Sequence, residues 1–139
     1  MADLFLHKSS LVWDEAKIAN LKLDGAPDVK VTTSVNYGGL EGEWTPSDLF
    51  LASVNACNAM TFLEVVLRKG VELESFECEA EGIVERTEEG YRFTSITLKP
   101  RAIVKDPGKE KMVNALIERA HKACLVANSM KNPVDIKVD

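Results

Sequence analysis

Histidine and cysteine are scarce in this chain, with two histidines and three cysteines among 139 residues. Cys57, Cys78 and Cys124 are too few and too spread for a secreted disulfide framework, and no pair has the C-x-x-C spacing. With only His7 and His121 beside them, a closed zinc site is hard to assemble, so neither a metal nor another cofactor is expected. Positive charge is short as well: 17 Lys and Arg against 22 Asp and Glu leave a net charge of −5 and a pI near 5.1. That balance gives no electrostatic footprint for nucleic acid or an anionic membrane, and neither is expected as a partner. The Met1-Ala2-Asp3 start lacks the basic and apolar regions of a signal peptide, which predicts a cytoplasmic protein. Repeats, low-complexity tracts and linkers are missing too, so one domain over 1–139 is expected, large enough to bury a real core.

What is present is organised around one apolar stretch. Thr45 before Pro46 reads as a helix start, a hydroxyl cap followed by a proline whose missing N–H had no partner anyway. Asp48 falls in the first turn, where negative charge is favoured, and Arg68, Lys69 and Gly70 supply the basic last turn and the stop. The predicted helix, 46–69, would be roughly 36 Å long. Its apolar residues, from Leu49 and Phe50 through Val54, Met60 and Phe62 to Leu67, do not keep to one stripe, and such a helix is expected to be buried on all sides. A membrane span is the competing reading. Ser47, Asp48, Ser53, Asn55, Asn58, Thr61 and Glu64 break up the run and argue against it.

Around that helix the chain alternates. Residues 4–13, 16–23 and 29–35 read as a three-stranded meander, with Asp24-Gly25 as a hairpin turn. The glycine-rich loop 37–43 lacks the spacing of a dinucleotide fingerprint. Beyond Gly70 the period changes to two: Phe76, Cys78 and Ala80 face one way, and Glu77, Glu79 and Glu81 form a solvated face rather than a metal site. Thr87-Glu88-Glu89-Gly90 turns the chain into a strand over 91–99, which Pro100 is expected to interrupt before Ala102-Ile103-Val104. Asp106-Pro107 opens a second helix carrying Met112, Val113, Leu116, Ile117, Ala120 and Cys124 on one face. Cys124 to Met130 ends that helix or forms a short one after it, and Val134 to Val138 is a last strand.

The run Thr45-Pro46-Ser47-Asp48-Leu49-Phe50-Leu51-Ala52-Ser53-Val54-Asn55-Ala56-Cys57, with Cys124 inside Ala120-His121-Lys122-Ala123-Cys124-Leu125-Val126-Ala127-Asn128-Ser129, resembles the OsmC and organic hydroperoxide resistance (Ohr) family. The order of elements is similar too: β-meander, long helix with a cysteine, β-hairpin, second helix with a cysteine, final strand. The resemblance implies an α+β, OsmC-like fold, an intertwined homodimer with the two long helices back to back, and a thiol-dependent peroxidase. By position it makes Cys57 the peroxidatic and Cys124 the resolving cysteine. A Cys57 thiolate would attack a hydroperoxide and become a sulfenic acid, Cys124 would condense with it to a disulfide, and an external dithiol, a small thiol or a lipoyl- or thioredoxin-type protein, would close the cycle.

Two departures from the family pattern stand out. Ten residues before Cys57, where the family has a glutamate, stands Ser47, with Asp48 the nearest carboxylate; and no arginine precedes Arg68. A buried thiol without a cation is a poor nucleophile, and Cys57 lies too far inside the predicted helix for its dipole to help. Ser47 and Asp48 are therefore candidate supporting residues. So is His121, three residues before Cys124, as a proton-transfer partner or as a structural histidine. Trp44, Phe50 and Met60 are candidates for the wall of an apolar substrate pocket. Cys78 reads as core packing. The departures also leave open a dimer of the same fold that binds a small apolar or acyl ligand without turnover, or a purely structural one.

Overall fold

The computed structural model describes residues 3–138, which leaves Met1, Ala2 and Asp139 outside. Three antiparallel strands, β1 (Ser10–Glu15), β2 (Ile18–Lys22) and β3 (Val29–Thr32), form a meander in that order. The strand expected from residue 4 begins only at Ser10, because β2 ends at Lys22, the residue opposite Ser10, and among the described residues nothing pairs with Leu4, Phe5 or Leu6. After Lys22 the chain turns with Ala26 N–H on the Leu23 carbonyl (3.0 Å), and a Lys22–Asp28 ion pair (2.7 Å) spans the loop. This sheet buries little. Val31 and Thr32 are buried, while all of β1, including Leu11, Val12 and Trp13, is exposed.

The chain divides into two compact units, one through Leu49 and one from Phe50. The long helix α1 (Pro46–Arg68) begins at the end of the first. Its start is a reciprocal cap: Thr45 Oγ1 accepts from Asp48 N–H (3.2 Å), while Asp48 Oδ2 accepts from Thr45 N–H (3.0 Å) and Thr45 Oγ1 (2.9 Å). Its end is fixed by Gly70, which adopts φ +73° so that Val71 N–H can reach back to the Val66 carbonyl (3.2 Å).

In the second unit β4 (Leu73–Thr87) and β5 (Gly90–Val104) make a long antiparallel hairpin around Glu88-Glu89, and β6 (Asp135–Ile136) adds in parallel to β5. Between β5 and β6 come α2 (Glu110–Lys122) and the single turn α3 (Leu125–Asn128). Asp106 accepts from Gly108 N–H (3.0 Å) and opens a 3₁₀ turn that leads into α2. Pro100 does not interrupt β5. It pairs with Cys78 across the ladder, beyond the two residues that β6 covers, where β5 is an edge and a residue without N–H is tolerated.

The core of this unit is built on one stripe of α1, not on its whole circumference. Val54, Asn58, Phe62 and Val66, each four residues from the next, are fully buried, whereas Phe50, Ala56, Met60 and Leu67 are exposed. Phe62 and Val66 meet Val113, Leu116, Ile117 and Ala120 of α2, with Phe76 of β4 tilted against Phe62 at 4.8 Å between ring centroids. Met112, expected on the same face, lies at its exposed rim. Val54 meets Ile96 and Leu98 of β5 together with Cys124 and Val134. The glutamates at 77, 79 and 81 are exposed, as their alternation implied.

Phe62→Ala should cost about 3–5 kcal/mol of unfolding free energy in urea titration. Glu79→Ala should stay within about 0.5 kcal/mol of the parent, as expected for an exposed strand position.

Candidate functional site

Cys57 sits on the flank of the α1 stripe, half-buried, with Val54 one turn before it. Cys124 arrives from the other direction. Helix α2 stops at Lys122, Ala123 and Cys124 hydrogen-bond back to the carbonyls of Ala120 and His121 (3.1 and 3.2 Å), and Cys124 takes an extended conformation (ψ 112°) that restarts the chain as α3. The first N–H groups of any helix lack intrahelical partners. Here those of Leu125 and Val126 donate to the Cys57 sulfur, as does the Cys124 thiol. Both sulfurs belong to one apolar cluster with Val54, Ile96 and Leu98, and Cys124 is wholly buried.

This geometry splits the two thiols. Burial pushes Cys57 up, but donation from Val126 N–H, the Cys124 thiol, Leu125 N–H and the Thr61 hydroxyl outweighs it, and Cys57 ends below the ordinary thiol range. Burial pushes Cys124 up, and although Ala127 N–H opposes this, donation to Cys57 and repulsion from its charge keep Cys124 above that range. The Thr61 hydroxyl also reaches the Cys57 carbonyl at 2.8 Å, and having one hydrogen it serves carbonyl or sulfur in turn. The electrostatics of the pair therefore rest on burial and neutral donors, with the lowered thiol being the one on α1. The cation that a buried thiol was expected to need is replaced here by backbone N–H groups and other neutral donors. The N–H groups carry no side-chain signature and could be anticipated only from the break that Cys124 to Met130 was expected to make.

The other candidates are placed as follows. Asp48 is engaged in the α1 cap, Ser47 is exposed beside it, and Trp44 bridges Val31 in the first unit, its carbonyl accepting from Thr32 N–H at 2.9 Å. His121 Nε2 bonds the Val134 carbonyl at 2.6 Å, tying the end of α2 to the segment before β6, and its Nδ1 is buried without a partner among the described residues. Because a carbonyl only accepts, Nε2 carries the proton there. Phe50 stacks on Phe93 at 5.1 Å and lines a cavity of about 500 Å³, whereas Met60 lies on the outward face of α1 with Leu63, Glu64, Leu67 and Arg68. Cys78, on β4, packs on the same cluster as the two thiols, its carbonyl accepting from Asn55 Nδ2 (3.0 Å), and burial pushes its thiol up.

Residues 38–139 match the family model described as OsmC-like protein. The chain belongs to the OsmC-like family. An uncharacterized protein of Bacillus subtilis, YmaD, is 24% identical over 102 residues, which are 70% of this chain and 68% of that protein. An OsmC-like protein of unknown function from Vibrio cholerae superposes with a TM-score of 0.88 at 19% identity, over 98% of this chain and all of the other. The organic hydroperoxide resistance protein OhrB of Bacillus subtilis gives 0.65 at 21% identity, over 96% and 97%. At these identities the superpositions establish a shared OsmC-like fold, with the meander, long helix, hairpin, second helix and last strand in the expected order.

The lowered pKa of Cys57 means that its thiolate persists to lower pH than that of a free cysteine. The midpoint of iodoacetamide alkylation against pH, followed by mass spectrometry, should lie below that of a model thiol. Cys124→Ala, which removes a donor, should move it upward, and Cys124→Ser, whose hydroxyl still donates, should move it less. An unshifted profile in Cys124→Ala would show that the two thiols do not interact.

Proposed function

We propose that this OsmC-like chain is a thiol-dependent hydroperoxide reductase, with Cys57 as the attacking and Cys124 as the resolving sulfur. The observation that carries this reading is that Cys57 on α1 and Cys124 at the α2–α3 break meet in one buried apolar cluster, where the Cys57 thiol is lowered and the Cys124 thiol raised. The Cys57 thiolate attacks the outer oxygen of ROOH, the O–O bond breaks, and the alkoxide leaves and takes a proton from water as ROH. Cys57 is now a sulfenic acid. The Cys124 sulfur then attacks it, and the departing hydroxide takes the Cys124 proton as water, leaving a Cys57–Cys124 disulfide. An external dithiol reduces that bond by exchange and is itself oxidised. The apolar cluster around the sulfurs favours organic hydroperoxides over hydrogen peroxide.

The working unit is a homodimer. Phe50, Met60 and Leu67 on α1 and Leu11, Val12 and Trp13 on β1 are large apolar side chains exposed in the single chain, and such surfaces ask for cover. A second reading, a ligand-binding dimer without turnover, is favoured by the absence of the family's glutamate and arginine at their usual positions. The two readings part on catalysis.

Reduced protein should consume cumene hydroperoxide with dithiothreitol, Cys57→Ser should be inactive, and Cys124→Ser should accumulate sulfinic acid at Cys57 by mass spectrometry. Turnover no faster than dithiothreitol alone would reject the enzyme and leave the binding protein. Sedimentation should give twice the 15.3 kDa chain mass, and Met60→Glu with Leu67→Glu should shift it toward one.

A further inference from the structure

The cavity of about 500 Å³ shares a wall with the thiol cluster, since Phe93, Ile96 and Met130 line the one and pack in the other. Its size is that of an ordinary small-molecule site. Phe50 and Phe93 stack nearly parallel, 20° between planes, and make its aromatic side. Phe93 can lie there because residue 82 is glycine: a Cβ at Gly82 would stand 2.6 Å from the Phe93 ring and 3.3 Å from Leu51. The apolar body of a ligand therefore has a built place to lie.

The same cavity also has a polar lining. Arg92, Lys131, Glu89 and Asn132 line it, two cations against one carboxylate in a chain whose net charge is −5. Arg92 is held in position: Asn132 Nδ2 donates to the Phe93 carbonyl (2.7 Å), and Asn132 Oδ1 accepts from Arg92 Nη2 (3.3 Å). Glu89 accepts from Arg92 Nη1 at 3.2 Å, but it is 70% exposed and three residues away on the hairpin turn, an ion pair of little worth. A guanidinium has five donors in a fork that matches a carboxylate. Among the described residues Asn132 and Glu89 use one each, and the rest remain for an anion.

We infer that Arg92, set by Asn132, is a specificity-determining residue that selects ligands with an anionic, carboxylate-type end and an apolar body, the body lying along Phe50, Phe93, Ile96 and Met130 toward the thiol pair. Under the hydroperoxide reading, Arg92 then favours a hydroperoxide that bears a carboxylate over a neutral one such as cumene hydroperoxide, which the apolar wall still admits. That last step rests on the proposed peroxidase; the binding does not. Glu89 is a carboxylate in the same lining and repels an anionic ligand, so its neutralisation favours binding.

Calorimetric titration of the Cys57→Ser protein with decanoate and with decanol measures the selection without turnover, so its outcome is independent of whether the reduced protein consumes cumene hydroperoxide. Decanoate should bind about tenfold or more tightly than decanol, the worth of a charge-assisted hydrogen bond. Arg92→Gln should abolish that gap, Arg92→Lys should restore part of it, and Glu89→Gln should widen it. Equal binding of the two ligands, a gap that survives Arg92→Gln, or binding of neither would overturn the inference.

Discussion

The rotation of α1 about its own axis is the constraint on which the second unit depends. Residues 54, 58, 62 and 66 form the buried stripe, and a helix advances by about 100° per residue, so Cys57 must lie on the flank of that stripe. There its sulfur is close enough to the core to meet the α2–α3 break and far enough from it to stay partly open. The same stripe anchors α2 through Phe62 and Val66, so one packing surface positions both the helix that carries Cys57 and the helix that delivers Cys124. Turning α1 by a single residue would bury Cys57 fully or lose its donors.

Stabilising a thiolate with backbone N–H groups and a neutral thiol has a different physics from doing so with a guanidinium. A cation at this place would have to be desolvated among Val54, Ile96 and Leu98 and then matched by a further charge to orient it. Neutral donors carry no such cost, and they are fixed by the backbone of α3 rather than by the rotamers of a long side chain. Arg92 and Lys131 instead line the 500 Å³ cavity that shares Phe93, Ile96 and Met130 with the cluster, and the sulfur is left to its neutral partners.

Much of the fold was legible because its signals are local. The Thr45-Pro46 cap, the Gly70 stop, the alternation of Phe76, Cys78 and Ala80, and the Asp106-Pro107 start all act within a few residues, and each is found within a residue or two of its expected place. Three features were not legible, and each depends on a partner distant in sequence. Pro100 sits inside β5 because β6 stops at Ile136, and β1 starts late because β2 is short. The apolar residues around α1 predicted burial on every side, yet one chain encloses only a stripe. At the site, the two cysteines could be picked out by context, but their donors are main-chain groups of Leu125 and Val126, which any residue but proline would supply.

The asymmetry of the pair also orders the proposed chemistry in time. While Cys57 is a thiolate it accepts from the Cys124 thiol and repels a second negative charge, and both effects hold Cys124 protonated. A protonated Cys124 is a poor nucleophile and a poor competitor for peroxide, so oxidation begins at Cys57. Once Cys57 becomes a sulfenic acid its charge is gone. The repulsion ends, the demand on the Cys124 proton weakens, and the cause that remains against ionisation is burial, opposed by Ala127 N–H. The resolving thiol thus becomes easier to ionise at the step that needs it, by the loss of a neighbouring charge.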